Sequence, residues 1–147
     1  LARKRFCDHT IMRGLVAQRL LPKLCEHCRT PLDGNESSIS ERLLHALDSH
    51  GRIDQVYLAK EGGCEHCNYT GSTRRFAIAE VVVCDEELMN DLINHGTVIA
   101  RANYRERADS DLPMIAQALK KVFSGDVDPR SVEEAVDIIS LKARVHA

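Results

Sequence analysis

The paired tetrapeptides Cys25-Glu26-His27-Cys28 and Cys64-Glu65-His66-Cys67 decide how this sequence is read. Each is a C-x-x-C turn, which brings two sulfurs close enough to share one ion. It also lets backbone N–H groups after the first cysteine point at sulfur. Two such turns supply four thiolates, the tetrahedral set that zinc accepts, and they leave no open position. A closed site is structural, because metal catalysis needs a vacant or water-filled ligand position. Cys25, Cys28, Cys64 and Cys67 are therefore the expected Zn²⁺ ligands, and no residue is assigned a catalytic or cofactor-binding role. The competing reading of C-x-x-C is a redox pair. A thioredoxin-like motif would occur once, near a βαβ pattern, and that pattern is missing.

The two turns are separated by 35 residues, longer than a zinc ribbon usually allows. The intervening segment is expected to fold as an insert, with a short helix over 39–48 and a capping box of Ser38 and Glu41. Ile39, Leu43, Leu44 and Leu47 are its buried candidates. His27 and His66 lie inside the turns and read as solvent-facing. Four thiolates around Zn²⁺ carry a formal charge of −2. Lys23, Arg29, Arg74 and Arg75 flank the turns and either offset that charge or are ordinary surface cations. Cys7 and Cys84 have no partner by spacing, and Cys84 reads as a small buried hydrophobe.

Apolar spacing predicts a helix over 10–21, with Ile11, Met12, Leu15, Val16 and Leu20 on one stripe and Pro22 as the stop. Val56–Leu58 reads as a short strand, and Phe76–Val83 as the clearest strand. Asp85 caps a helix carrying Leu88, Met89, Leu92 and Ile93, closed by Gly96. A further helix is expected near 97–107. Leu112, Ile115, Ala116, Leu119 and Val122 form the next stripe, ended by Gly125. A last helix is expected from a Ser131 cap, with Val132, Ala135, Val136 and Ile139 facing the core. The fold class is α+β, mostly helical: a small zinc-knuckle insert with a short β-element, then a helical C-terminal subdomain. The expected divisions are 1–21, 22–84 and 85–147.

The bulk properties narrow the function. The chain has 147 residues, net charge −2, 4% aromatics and no Trp. A general phosphate-backbone binder would be clearly basic, so no nucleic-acid partner is expected. A free-standing zinc ribbon that binds nucleic acid is the alternative, and Tyr69 and Phe76 offer it little stacking surface. Residues 1–34 carry seven Lys/Arg against three Asp/Glu, whereas 85–147 carry eight against twelve. That asymmetry means either solvated faces or charge-matched contact between subunits or domains. Nowhere is there an 18-residue apolar run, so no membrane span is expected. Leu1-Ala2-Arg3-Lys4-Arg5 is not followed by an apolar stretch and does not read as a signal peptide. With no opening Met, the chain is expected to belong to something longer. Thiolates at metal-ligand spacing fit a reducing cytosol.

Several longer stretches then match a known pattern. Gly14-Leu15-Val16-Ala17-Gln18-Arg19-Leu20-Leu21, followed by Leu24-Cys25-x-x-Cys28, resembles the G-L-x-A-Q-R-L…L-C-x-x-C stretch of type II secretion and type IV pilus-assembly ATPases. Gly63-Cys64-x-x-Cys67-Asn68-x-Thr70-Gly71, with Arg75, Ile78, Glu80 and Val81, resembles the family's G-C-x-x-C-x-x-T-G-Y-x-G-R-x-x-I-x-E-V, from which Ser72 and Arg74 depart. Met114–Gly125 resembles the A-L-x-K-V-x-x-G segment, and Ser131-Val132-Glu133-Glu134-Ala135 the closing S-x-E-E-V helix. The resemblance implies a homohexameric cytoplasmic ATPase, peripheral to the bacterial inner membrane. Such an enzyme docks on a platform protein and uses ATP and Mg²⁺. Residues 1–21 would then end the RecA-like nucleotide-binding domain. Arg19 would be either an interface contact to a carboxylate or nucleotide, or a solvated arginine. The chain holds no G-x-x-x-x-G-K-[ST], so by itself it is not expected to hydrolyse ATP.

Overall fold

Pairing between distant strands, rather than local helix propensity, organises the first half of the chain. The structure is a computed structural model and describes residues 8–108 and 110–141. Cys7 lies outside the described residues. Among those described, four strands and five α-helices follow in the order β1 (Gly14–Leu24), β2 (Thr30–Pro31), α1 (Glu41–His50), β3 (Tyr57–Leu58), β4 (Ser72–Val83), α2 (Glu86–Asn94), α3 (Gly96–Glu106), α4 (Met114–Phe123) and α5 (Pro129–Ala135).

The helix expected over 10–21 is not formed: Gly14–Leu24 is a strand. β1 pairs with β4. The amide of Cys84 donates to the carbonyl of Arg13 at one end and that of Cys25 to Gly71 at the other, so the two run antiparallel. The apolar spacing at 11, 12, 15, 16 and 20 satisfies a helix only when the segment is considered alone. β4 is rich in β-branched residues and offers a ladder of backbone partners, and tertiary pairing then overrides the local pattern. The supposed stripe is accordingly not a buried face: Ile11, Leu15, Val16 and Leu20 are 74%, 51%, 68% and 48% exposed.

The chain divides into two compact units. Among the described residues, one takes in those up to Gln18 together with those of Ala79–Pro113, and the other Arg19–Ile78 with those from Met114 to Leu141. In the first, α2 packs on α3, with Cys84, Leu88, Met89, Ala100 and Tyr104 as a small core. Asp85 caps α2 as its side chain accepts from the Leu88 amide. Gly96, expected to close this helix, stands at the junction where α3 begins. The Val83 amide donates to the Tyr104 hydroxyl at 2.9 Å, and Arg107 pairs with Asp85 at 2.6 Å.

The second unit contains the larger core. Leu21 of β1, Leu43 and Leu47 of α1, Val56, Leu58 of β3, Ile78 of β4, Ala118 and Val122 of α4, and Val127, Val132 and Ile139 are buried together. α1 therefore does not serve a separate zinc insert. Its apolar face joins the helices from the end of the chain, because a ten-residue helix buries too little alone. Ser40 rather than Ser38 caps it, accepting from the Leu43 amide, and Glu36–Ser38 is a 3₁₀ turn. β2 and β3 form a minimal antiparallel pair, with Thr30 opposite Leu58 and Pro31 opposite Tyr57. The last helix starts earlier than a Ser131 cap would place it. Asp128 caps α5 with Pro129 in its first turn, the position proline's fixed φ favours.

Candidate metal centre

The strand β1 delivers Cys25 directly from its end, and Cys28 follows one turn later, with the amides of Cys28 and Arg29 donating to the Cys25 carbonyl. The second pair sits on the 3₁₀ turn Glu65–Cys67, just before β4. Asn68 and Tyr69 both take positive φ to reverse the chain there. Gly63 is obligatory at the entry. Its φ is +54°, and a Cβ would lie 2.5 Å from the Tyr69 carbonyl carbon.

The four cysteines, 36 or more residues apart between pairs, meet at one point. Their sulfurs all lie within 4.8 Å of one another. Cys25–Cys64, Cys28–Cys67 and Cys64–Cys67 are each separated by 3.8 Å. Disulfide sulfurs stand about 2.0 Å apart, so these are free thiols. Four ligands about 2.3 Å from a central zinc define a tetrahedron whose edges are about 3.8 Å. The donor type, number and spacing fit zinc. Cys25, Cys28 and Cys67 are buried and Cys64 is half-buried, which shields the centre from water.

The electrostatics distinguish the sulfurs. Burial pushes the Cys67 thiol up, but the amides of Cys64 and Gly71, each 3.2 Å from its sulfur, and the neighbouring thiols outweigh burial and bring it down to about 6. Cys28 is buried and surrounded by Cys64, Cys25 and Cys67, and it is pushed up to about 12. Backbone amides thus begin the stabilisation of thiolate charge. Two of the flanking cations, Lys23 and Arg29, have other partners. Lys23 pairs with Glu26 at 2.6 Å, and Arg29 donates to the Gly125 carbonyl at 2.5 Å while lying over the Tyr57 ring. Arg74 and Arg75 are exposed on β4. Arg19 is exposed on β1, on a strand rather than the expected helix.

His27 and His66 are exposed and stack on one another, with ring centroids 3.9 Å apart. The repeated C-E-H-C tetrapeptide foreshadowed this contact only weakly, since stacking requires that the two turns face each other. Of the residues that join the cysteine turns to the helical scaffold, Arg29 read only as a flanking cation and Gly125 only as a helix stop, and Tyr57 and Asp128 had no signal that marked them for this role.

A family model described as type II/IV secretion system protein matches residues 3–136. A putative type II secretion system protein E of Escherichia coli K12 is 29% identical over 78% of this chain, which covers 22% of that protein. The type II secretion system protein E of Dickeya dadantii is 34% identical over 62% of the chain and 16% of its own length. The type IV pilus assembly ATPase PilB of Thermus thermophilus is 32% identical over 54% of the chain and 8% of its own length. The chain therefore spans less than a quarter of each of these relatives.

Proposed function

The chain belongs to the type II/IV secretion system protein family, and from that premise we propose that it is the zinc-binding and helical portion of a bacterial ATPase that powers type II secretion or type IV pilus assembly. The observation that carries the reading is the convergence of Cys25, Cys28, Cys64 and Cys67 at tetrahedral spacing inside a segment similar to these ATPases. In this reading the four thiolates hold one structural Zn²⁺, which closes the site without a catalytic position. Bound zinc supplies a fixed crosslink of the two turns. The chain's own residues bury it and direct the amides of Cys64 and Gly71 at the Cys67 sulfur.

The role proposed for this portion is structural and interactive. In this proposal residues 1–21 lead out of the nucleotide-binding domain, 22–84 bear the zinc, and faces of the 85–147 helices left outside the cores of this chain meet the motor or its neighbour. The parent would work as a homohexamer with ATP and Mg²⁺. It would act at the cytoplasmic face of the inner membrane, against a platform protein. No helix among the described residues is long and apolar enough to cross a membrane.

Elemental analysis tests the metal. One zinc per chain is expected, and none in Cys64→Ser. A purified protein with no tightly held divalent cation overturns the site. The motor assignment is tested in the full-length parent. There, Cys64→Ser should abolish secretion or piliation while the isolated chain shows no ATP turnover. Turnover by the isolated chain at the parent's rate overturns the non-catalytic role. Tight binding of single-stranded DNA at moderate salt would favour the nucleic-acid alternative.

A further inference from the structure

The two cysteine turns hang from one loop far downstream, residues 124–128, between α4 and α5. On the side of the first turn, the Leu24 amide donates to the Asp126 carbonyl at 2.7 Å, and the Lys23 ammonium lies 3.8 Å from the Asp126 carboxylate. Arg29, immediately after Cys28, donates to the Gly125 carbonyl with its guanidinium held 4.3 Å above the Tyr57 ring. On the side of the second turn, the Ala59 amide donates to Asp128 Oδ2 at 2.7 Å, and Arg130 joins the Ala59 carbonyl to the same carboxylate. Ala59 and Lys60 back that turn, since the Gly63 amide donates to the Lys60 carbonyl. Asp128 is only 2% exposed, an expensive place for a carboxylate unless each bond counts. The loop is itself pinned, with the amides of Asp126 and Val127 bonded to the Lys121 carbonyl at the end of α4.

We infer that residues 124–128 are a positioning element for the metal centre, setting the separation of the two cysteine turns so that zinc retention depends on Asp128 and Arg29. This rests on the proposed zinc ligation by the four cysteines. The coupling is reciprocal by linkage: if an ordered loop raises zinc affinity, bound zinc raises the order of the loop by the same factor. Zinc occupancy is thereby transmitted to the junction of α4 and α5, which carries none of the four sulfurs. Supporting residues around a metal commonly change its affinity by about 10–100-fold.

The test uses the full chain loaded with one zinc and follows release to an excess of a chromogenic chelator. Asp128→Ala and Arg29→Ala should each release zinc about 10-fold faster. Asp128→Asn, which keeps an acceptor for the Ala59 amide, should fall between them and the wild type. Arg42→Ala is the control. Its partners are Glu133 and the Ile139 carbonyl, so it should lower the melting temperature and leave the release rate unchanged. In the wild type, stripping zinc should accelerate amide exchange at 124–128. Arg29→Ala guards against a failure of Asp128→Ala to fold. Release at the wild-type rate from folded Asp128→Ala or Arg29→Ala overturns the inference. So does acceleration in all variants, Arg42→Ala included, in proportion to lost stability. A wild-type chain that holds no zinc overturns the ligand assignment itself, and with it this coupling. Zinc held one to one with release unaffected overturns the loop alone.

Discussion

A thiolate that already exists at neutral pH gives up no proton when a metal arrives, whereas a protonated thiol must. Burial pushes the Cys28 thiol up to about 12, whereas at Cys67 the amides of Cys64 and Gly71 outweigh burial and bring the thiol down to about 6. At pH 7.5 zinc uptake should therefore displace a full proton from Cys28 and almost none from Cys67. As the pH falls through 6, Cys67 becomes protonated and the number released should rise by about one. The slope of log affinity against pH equals that number, so zinc binding should weaken more steeply below pH 6 than above it. Calorimetry in buffers of different ionisation enthalpy measures the release. A proton count that stays flat between pH 7.5 and 5 would contradict the amide-stabilised Cys67 thiolate. The four cysteines and their grouping into two turns were legible at this scale, because C-x-x-C spacing is a local geometric fact. The asymmetry between Cys67 and Cys28 was not, since it depends on the Gly71 amide and on which thiols become neighbours.

Elements show where local pattern and tertiary pairing part ways. The segment around Leu15 and Leu20 has helical spacing and forms a strand, and the discrepancy is measurable. Leu47, at 0% exposure on α1, should lose about 2–5 kcal/mol on truncation to alanine. Leu20, at 48% exposure, should lose under about 0.5 kcal/mol. Urea unfolding of the two variants in this chain checks the contrast, and equal losses would favour a buried helix over β1. Gly125 supplies a second case. Its φ is +73°, and a Cβ would come within 2.8 Å of the Tyr57 ring and 3.1 Å of the Arg29 guanidinium. Gly125→Ala should therefore cost about 1–3 kcal/mol of stability and displace Arg29. A melting temperature equal to the wild type would count against the tight junction. The helices α1, α2 and α4 were recognisable from their stripes and Asp85 from its cap, and α3 was expected near 97–107 without a stripe. The starts of α1 and α5 were misplaced because several Ser, Asp and Asn residues compete for each cap. Only the backbone path selects Ser40 and Asp128.

For the molecule as a whole, the decisive balance is between loop closure and metal binding. Holding the ends of the 35-residue segment together costs about 3 kcal/mol in its length-dependent part. Apparent free energies for structural zinc run to about 10–16 kcal/mol, so the ion dominates. Zinc removal by a chelator should accelerate amide exchange around both cysteine turns. The helices α2 and α3 have their own apolar cluster and should keep their protection. α1 should retain part of its protection, because Leu43 and Leu47 pack with Ala118, Val122 and Val132 and not with the cysteines. Uniform loss of protection over the whole chain on chelation would show that the metal is required for both cores.

The four convergent cysteines, the run of short helices toward the end of the chain and the resemblance that led to the family were all legible in the residues alone. Each of these is written in spacing over a few residues: two intervening positions between cysteines, three or four between apolar side chains. Long-range packing, by contrast, makes residues 14–24 a strand, places α1 in the core with α4 and α5, and bonds the segments around both cysteine turns to residues 124–128. These outcomes depend on partners 50 to 100 positions away, such as β4 for β1 and Asp128 for Ala59. A backbone amide has no local mark of which distant carbonyl or carboxylate will satisfy it.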